Sequence, residues 1–373
     1  MQKTRETVLE IDLGALAHNY RYLRSKAGKG VKFMGVVKAF AYGNDEVVIG
    51  KKLSELGVDY LGVAYTSEGI SLRKAGIDNP ILILHPQSFN FEEIIENCLE
   101  PSIYSEFVLR EFIKTAEKLG QKNYPVHIKL NTGLNRLGFS EAQLSKVLDT
   151  LLKTNAIKVK GLYSHLAASE DWKEREFTLG QINKFRKMAF EIVNAIGYRP
   201  ILHITNTSGI INYPEAAFNM VRSGLGLYGF GNDPEIDKNL KPIGTLKTII
   251  SQIIDLQPGD TVGYNRTFKA EEEIRMATLP LGYADGIHRQ FGNERAGVYI
   301  NGQFAPIIGN VCMDMIMINI TGLQCEEGDE VIVFGEQQPV PEFARKAGTI
   351  SYELITGISQ RVKRVYLPEL ITP

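Results

Sequence analysis

The 373-residue sequence predicts an α/β fold: a (β/α)8 barrel of the TIM type, followed by a mainly antiparallel β domain. Three observations carry that prediction. Between about residue 33 and residue 230, short apolar runs alternate with helical stretches eight times. After about residue 240 the alternation stops, and runs rich in β-branched residues, punctuated by turn signals, take over. The chain also exceeds the length of one ordinary domain, so two units are expected. The resulting boundaries are 9–239 for the barrel and 240–373 for the β domain, with residues 1–8 pairing with the latter.

The apolar runs are "FMGVVKA" (33–39), "YLGVA" (60–64), "PILIL" (80–84), "EPSIY" (100–104), "VHIKL" (126–130), "VKGLYSHL" (159–166), "ILHIT" (201–205) and "FNMVR" (218–222). They are too short for buried helices and apolar on both faces, as parallel strands are. Helices between them are marked by their ends. Ser105 is placed to cap a stretch that puts Leu109, Phe112, Ile113, Ala116 and Leu119 on one face, closed by Gly120. Ser140 and Gln143 form a capping box ahead of Leu144, Val147, Leu148, Leu151 and Leu152. Beyond residue 240, "TLKTIISQIIDL", "RMATLPLGY", "GVYINGQFAPIIG" and "EVIVFG" read as strands joined at "PGD" and "NG" turns, with no long helical period.

Composition narrows the function. Hydrophobic residues make up 44% and charged residues 23%, enough for a large core. The formal net charge of −1, without a block of like charges, argues against a nucleic-acid or membrane-surface partner. Cys98, Cys312 and Cys325 form no CxxC pair, and no His/Cys/carboxylate spacing suggests a metal site. "MQKTRETVLEIDL" lacks the apolar run of a signal peptide and no stretch approaches a membrane span, so the expectation is a soluble, cytoplasmic protein.

In such a barrel, reactive groups belong at the carboxyl ends of the strands. Unusual polar residues gather there: Lys38 on the first run, Lys129 and Asn131 on the fifth, His165 on the sixth, Asn206 and Thr207 after the seventh, Arg222 on the eighth. Alone, Lys38 in "GVVKAFAYG" reads as a side chain snorkelling from a strand end. Together with the others, it reads as an amine desolvated enough to lose its proton and condense with a carbonyl. Gly224, Gly226 and Gly229 have GxGxxG spacing, but they follow the last strand and lead into a loop, so a single phosphate fits better than a dinucleotide. Arg136 follows an "NTG" turn that would tilt it toward the pocket; Tyr264 and "GNVCMDM" (309–315) are the oddest features of the β half.

With these residues in view, the chain resembles the alanine racemases, fold-type III pyridoxal-phosphate enzymes, along almost its whole length. The resemblance lies in "LEIDLGALAHNYRYL" (9–23), "VVKAFAYG" (36–43), "KLNTGLNRLGF" (129–139), "GLYSHLAASED" (161–171), "NMVRSGLGLYG" (219–229), "LPLGYADGIHR" (279–289), "GNVCMDM" and "TISYE" (349–353), all in the family's order. It implies a homodimeric isomerase interconverting L- and D-alanine with pyridoxal 5'-phosphate, supplying D-alanine for peptidoglycan. Lys38 matches the lysine that holds the cofactor covalently and acts as one base. Tyr264 matches the opposing base, supplied by the second subunit. Tyr42, Thr207, Gly224, Leu225 and Tyr352 match the phosphate contacts, and Arg222 the arginine facing the pyridine nitrogen, with His165 beside it. Arg136 and Met313 match substrate-pocket residues, and Lys129 a lysine, often carboxylated, that braces Arg136.

The chain departs from the family pattern at several positions. Phe40 stands where aspartate is usual, Asn44 and Asp45 where a histidine–glycine pair is, Thr207 for serine, Ser223 where proline is frequent, and Asn310 where arginine is common at the channel mouth. None removes a catalytic group. Racemisation requires two bases on opposite faces of the α-carbon, and both a lysine and a tyrosine need lowered pKa values to serve near neutral pH. A permanently charged arginine would leave the ring nitrogen unprotonated and disfavour side reactions. Rival readings are a serine or broad-specificity racemase, a decarboxylase of basic amino acids, which would carry a carboxylate at Arg222, and a non-catalytic cofactor-binding module.

Overall fold

The computed structural model describes residues 6–231 and 233–368. The chain divides into two compact units, one of residues 16–41 and 45–241, the other of residues up to 15, 42–44 and from 242 onward. Strand β1 (Val8–Asp12) lies in the second unit. The first unit holds β2 (Lys32–Val36), β3 (Tyr60–Val63), β4 (Ile81–Ile83), β5 (Glu100–Ile103), β6 (Tyr124–Lys129), β7 (Ile157–Tyr163), β8 (Ile201–His203) and β9 (Met220–Ser223).

These eight strands form the predicted parallel barrel. From β3 to β8 each pairs with its predecessor, and β9 returns to β2 with Lys32 opposite Met220 and Gly35 opposite Ser223. The seam lies between β8 and β9. There Asn219 substitutes for strand pairing: its N–H donates to the Leu202 carbonyl at 3.0 Å, and its side-chain oxygen accepts the Leu202 N–H at 3.0 Å. Strands β3, β5 and β9 are buried throughout; β3 is apolar, as a strand covered on both faces should be, whereas β5 and β9 bury Glu100, Ser102, Arg222 and Ser223 and so must satisfy them internally.

The helix ends form as their residues dictate. Ser105 Oγ accepts the Val108 N–H at 3.2 Å to start the helix Glu106–Lys118, and Gly120 beyond it takes φ +64°. The Ser140 N–H donates to Gln143 Oε1 at 2.9 Å, opening the turn that leads into Leu144–Leu151.

The first apolar run ends sooner than its sequence suggests. Pairing stops at Val36, and Val37 N–H donates to the Gly62 carbonyl at 2.9 Å. Lys38 then opens a left-handed helical turn, Lys38–Gly43, in which Ala39, Phe40, Ala41 and Tyr42 have φ of 54°, 55°, 49° and 55°. Each L-residue held this way costs roughly 1–2 kcal/mol, so something must over-determine the turn. Part of that is Glu68, whose Oε1 accepts the Ala39 N–H at 2.7 Å while its Oε2 accepts those of Ala64 at 2.7 Å and Tyr65 at 3.0 Å. One carboxylate thus joins the chain leaving β2 to the chain leaving β3.

In the second unit, strands β10 (Gly244–Ile249), β11 (Gln252–Leu256), β12 (Thr261–Val262), β13 (Phe268–Lys269), β14 (Ile274–Leu279), β15 (Gly297–Ile300), β16 (Gln303–Ile308), β17 (Ile316–Asn319), β18 (Glu330–Phe334) and β19 (Lys363–Leu367) follow. Nine strands, ordered β11-β14-β17-β16-β15-β18-β10-β1-β19, make one sheet, antiparallel except where β1 meets β19; β12 and β13 form a separate hairpin. The "NG" turn joins β15 to β16 with φ 49° at Asn301 and 80° at Gly302. Lys247 in β10, largely buried, is balanced by Glu10 at 2.9 Å and Glu330 at 3.2 Å from the strands on either side. Of residues 1–8, expected to pair with this domain, 1–5 lie outside the described residues; Thr7 Oγ1 bonds Thr248 Oγ1 at 2.8 Å, and Val8 pairs with Lys247 and Lys363. Two helices of seven residues, Val340–Lys346 and Ser351–Gly357, were not anticipated, being two turns each and too short to show a period. Among the described residues no helix is long and apolar enough to cross a membrane.

Candidate active site

Several of the chemistry-bearing residues read from the sequence gather at the carboxyl ends of the barrel strands. Lys38, just beyond β2, has a pKa lowered by desolvation first and by the Arg136 charge second, with Glu68 opposing. Lys129, the last residue of β6, is pushed down to about 8 by burial and by Arg136, Arg222 and Lys38. Four cations therefore act on one another here, which suits an anionic ligand and makes a neutral amine accessible near physiological pH.

Arg222, in β9, is 5% exposed and has no carboxylate partner among the described residues. Its Nη1 donates to His203 Nδ1 at 2.8 Å. Its Nη2 faces Ser164 O at 2.7 Å, Ile204 O at 3.1 Å and His165 Nδ1 at 3.1 Å. Burial lowers it to about 10, so it stays charged at neutral pH. Its Nε takes no partner among the described residues, leaving one strong donor free for a ligand. His165 is held well below its ordinary pKa by burial and then by Arg222, and is a neutral imidazole.

Sequence reasoning missed Tyr163, the last residue of β7. Lys129 Nζ lies 5.5 Å from its ring centroid and the Arg222 guanidinium 5.4 Å, while His203 stacks on it at 4.9 Å and 7°. A ring in contact with two buried cations offsets part of their desolvation. Its hydroxyl shares a hydrogen bond with Ser102 Oγ at 2.6 Å, and burial drives the phenol up to about 12. Nothing in "GLYSHL" separates this tyrosine from an ordinary core residue.

After β8, Asn206 Oδ1 accepts the Gly209 N–H at 2.9 Å and Thr207 begins a short helix. Thr207 Oγ1 bonds Ser223 Oγ at 2.9 Å and accepts the Gly226 N–H at 3.2 Å. Gly224 caps the turn Leu225–Tyr228. The glycine that matters sterically is Gly226, where a Cβ would stand 2.5 Å from Thr207 Cγ2. Threonine keeps the hydroxyl that serine would bring, and close-packed backbone with hydroxyls is the donor set a phosphate takes. Arg136 sits exposed on a loop closed by Asn131 N–H to Phe139 O and Phe139 N–H to Lys129 O, both 2.9 Å, with Asn131 Oδ1 accepting the Gly133 and Asn135 N–H groups.

The remaining candidates belong to the second unit. Tyr42 and Tyr352 face each other with ring centroids 6.0 Å apart, and burial holds the Tyr42 phenol above its ordinary range. Tyr264 lies not in a strand but in a turn, 70% exposed, where Gly263, Asn265 and Arg266 have φ of 73°, 60° and 51°. Asn310 Nδ2 donates to the Tyr264 carbonyl at 3.1 Å, and its Oδ1 accepts from Asn293 at 3.2 Å. Met313, 54% exposed, sits on a loop whose carbonyl accepts the Ala284 N–H at 3.0 Å; Gly282 makes room, since a Cβ there would lie 2.4 Å from that carbonyl oxygen.

Comparison with known proteins decides the family. Residues 11–232 match the alanine racemase N-terminal domain and residues 243–366 the C-terminal domain. The chain belongs to the alanine racemase family. It is 40% identical to alanine racemase 1 of Clostridium acetobutylicum, over 96% of this chain and 94% of the relative. The alanine racemase structure of Clostridium difficile 630 superposes with a TM-score of 0.92 at 34% identity, covering 100% and 98% of the two chains. That of Bartonella henselae, which carries covalently bound pyridoxal phosphate, superposes at 0.87 with 26% identity, covering 98% and 100%.

Proposed function

We propose that this racemase-family chain interconverts L- and D-alanine with pyridoxal 5'-phosphate held on Lys38. The observation that carries the reading is the pairing of a desolvated Lys38 amine with a buried Arg222 bound only to neutral acceptors. When bound, the cofactor supplies an electron sink for the α-carbanion. The residues present fit it: Thr207, Gly224 and Leu225 offer hydroxyl and close backbone to the phosphate, with Tyr42 and Tyr352 its further partners by family resemblance. Arg222 Nε offers a donor to the ring nitrogen, with His165 beside it. A guanidinium surrenders no proton readily, so the nitrogen stays unprotonated, a restrained sink that suits racemisation better than decarboxylation.

Proton traffic would fall to two groups. Lys38 Nζ exchanges a proton with one face of the α-carbon, and Tyr264 Oη with the other. Arg136 and Met313 would orient the amino acid. Lys129, neutral in part at pH 7, could take up carbon dioxide and brace Arg136 as a carbamate. The exposure of Tyr264 supports a homodimer in which that tyrosine serves the partner subunit's Lys38 site. Asn310 favours one further reading: with a neutral amide where the family usually has arginine, serine is a plausible second substrate. D-alanine made in the cytoplasm would feed peptidoglycan.

The test is spectroscopic and kinetic. The protein supplied with pyridoxal phosphate should absorb visible light, and borohydride should bleach the band. Lys38→Ala should lose the band and slow racemisation by at least roughly a thousandfold, as removal of a general base that also anchors the cofactor implies. A Lys38→Ala protein with an unchanged band would place the cofactor elsewhere.

A further inference from the structure

Beneath the candidate site, four polar side chains cross the barrel interior in one line. Arg222 Nη1 meets His203 Nδ1 at 2.8 Å, His203 Nε2 meets His127 Nδ1 at 3.2 Å, and His127 Nε2 meets Glu100 Oε2 at 2.7 Å. His127 and His203 are 0% exposed, Arg222 5% and Glu100 8%. The line runs from β5 through β6 and β8 to β9. We propose that Glu100, His127 and His203 are positioning residues: a one-way hydrogen-bond relay that fixes the Arg222 guanidinium toward the cofactor's ring nitrogen and provides its buried counter-ion.

Donor and acceptor chemistry sets the direction. A guanidinium can only donate, so His203 Nδ1 must accept and its proton must sit on Nε2. That N–H points at His127 Nδ1, which must also accept, so the His127 proton sits on Nε2 and is given to the Glu100 carboxylate. Every link then has one proton. Protonating either histidine, or changing the tautomer of one, sets two donors or two acceptors face to face between buried side chains. The short link at the carboxylate is the charge-assisted one, and it makes each imidazole a better acceptor for the next.

The surroundings are shaped for this line. Gly161, in mid-strand β7, leaves the space that His127 fills: a Cβ there would stand 2.2 Å from His127 Nδ1. Tyr163 stacks flat on His203 and fixes its ring plane. The Tyr60 hydroxyl bonds Glu100 and keeps the carboxylate an acceptor. With Nη1 and Nη2 committed, the guanidinium cannot rotate, and Nε is left for the ligand.

The proposal rests on the reading of Arg222 as the partner of the ring nitrogen, and the experiment separates the two. Nitrogen-15 NMR of the cofactor-loaded, histidine-labelled protein should show His127 and His203 as neutral Nε2–H tautomers at neutral pH. Glu100→Gln, isosteric and able to donate as well as accept, should disturb both tautomers and shift the visible band of the bound cofactor. It should lower kcat roughly tenfold with KM nearly constant, the size of one weakened buried charged hydrogen bond. Glu100→Asp, which restores the charge, should recover the tautomers and part of the rate. A charged or Nδ1–H His203 in the native protein overturns the relay, and that readout needs no variant to fold. So does an unshifted band in Glu100→Gln. Failure of the underlying reading looks different: the loaded protein would show no visible band, or a band that stays unmoved even in Arg222→Gln, where the guanidinium itself is gone.

Discussion

The barrel's reactive cluster and the Tyr264–Met313 loops of the β unit are held in opposite ways. Lys38, Lys129 and Arg222 are desolvated and act on one another, and Arg222 is committed to four acceptors. Tyr264 and Met313 are mostly exposed, and what fixes them acts on their backbone: an Asn310 amide on one carbonyl, a turn N–H on another. The first group is organised by its own barrel. The second has a placed backbone and side chains left in solvent. In energetic terms, the barrel cluster carries its desolvation cost within the fold, whereas the loop side chains, left in solvent, carry almost none.

The largest test of that contrast asks which chain the exposed tyrosine serves. Lys38→Ala and Tyr264→Phe should each be nearly inactive. Mixed under conditions that exchange subunits, they should regain roughly a quarter of native activity, because half the dimers are mixed and each mixed dimer has one intact site of two. No recovery despite proven exchange would assign both residues to the same chain and erase the contrast.

Legibility in the sequence followed the same division. Lys38, Lys129, His165 and Arg222 could be found because a barrel sends its strand ends to one face, so topology alone gathers them. The Ser105 cap and the Ser140–Gln143 box were readable for the opposite reason, being local. What escaped was neither local nor topological. Glu68 is an ordinary acid in a helix until the chain leaving β2 donates to it. The line from Glu100 to Arg222 joins residues far apart in sequence, each unremarkable in its own strand; Gly161, a lone glycine inside an apolar run, was the one available signal. The left-handed turn after Lys38 had no signal, since four of its residues with positive φ are Ala, Phe, Ala and Tyr, where the expected marker is glycine.

Lys129 tests the barrel side alone. With its amine near 8, about a tenth is neutral at pH 7 and half at pH 8, so carbamate formation from labelled bicarbonate should rise across that interval as protons leave. Lys129→Met should lose the carbonyl resonance. Its kcat/KM should fall roughly tenfold or more if the carbamate braces Arg136, the scale of losing one buried charged partner. A rate that holds would mean Arg136 is positioned by its closed loop.

Asn310→Ala sharpens the other side. It removes the hydrogen bond to the Tyr264 carbonyl, worth about 0.5–1.5 kcal/mol, so kcat should fall by about two- to twelvefold. The visible band should not move, because the barrel cluster is untouched. A shifted band would show that the two groups are more tightly coupled than their separate supports suggest.

The smallest effect belongs to Ala39→Gly, and its sign is the informative part. Ala39 is exposed, so the substitution removes no buried methyl, and its φ of 54° is a conformation that glycine adopts without a Cβ penalty. Against that gain stands the greater freedom of glycine in the unfolded chain. The left-handed penalty exceeds the entropy cost, so denaturant unfolding should show the variant more stable by about 0.5–1 kcal/mol. The Ala39 N–H remains to donate to Glu68, so Lys38 should keep its place and racemisation should change less than twofold. A variant that is less stable would mean that the turn carries no strain. A variant that is more stable but markedly slower would mean that the strain holds Lys38 in position, and that the rigidity separating the barrel cluster from the exposed loops is part of how the lysine is presented.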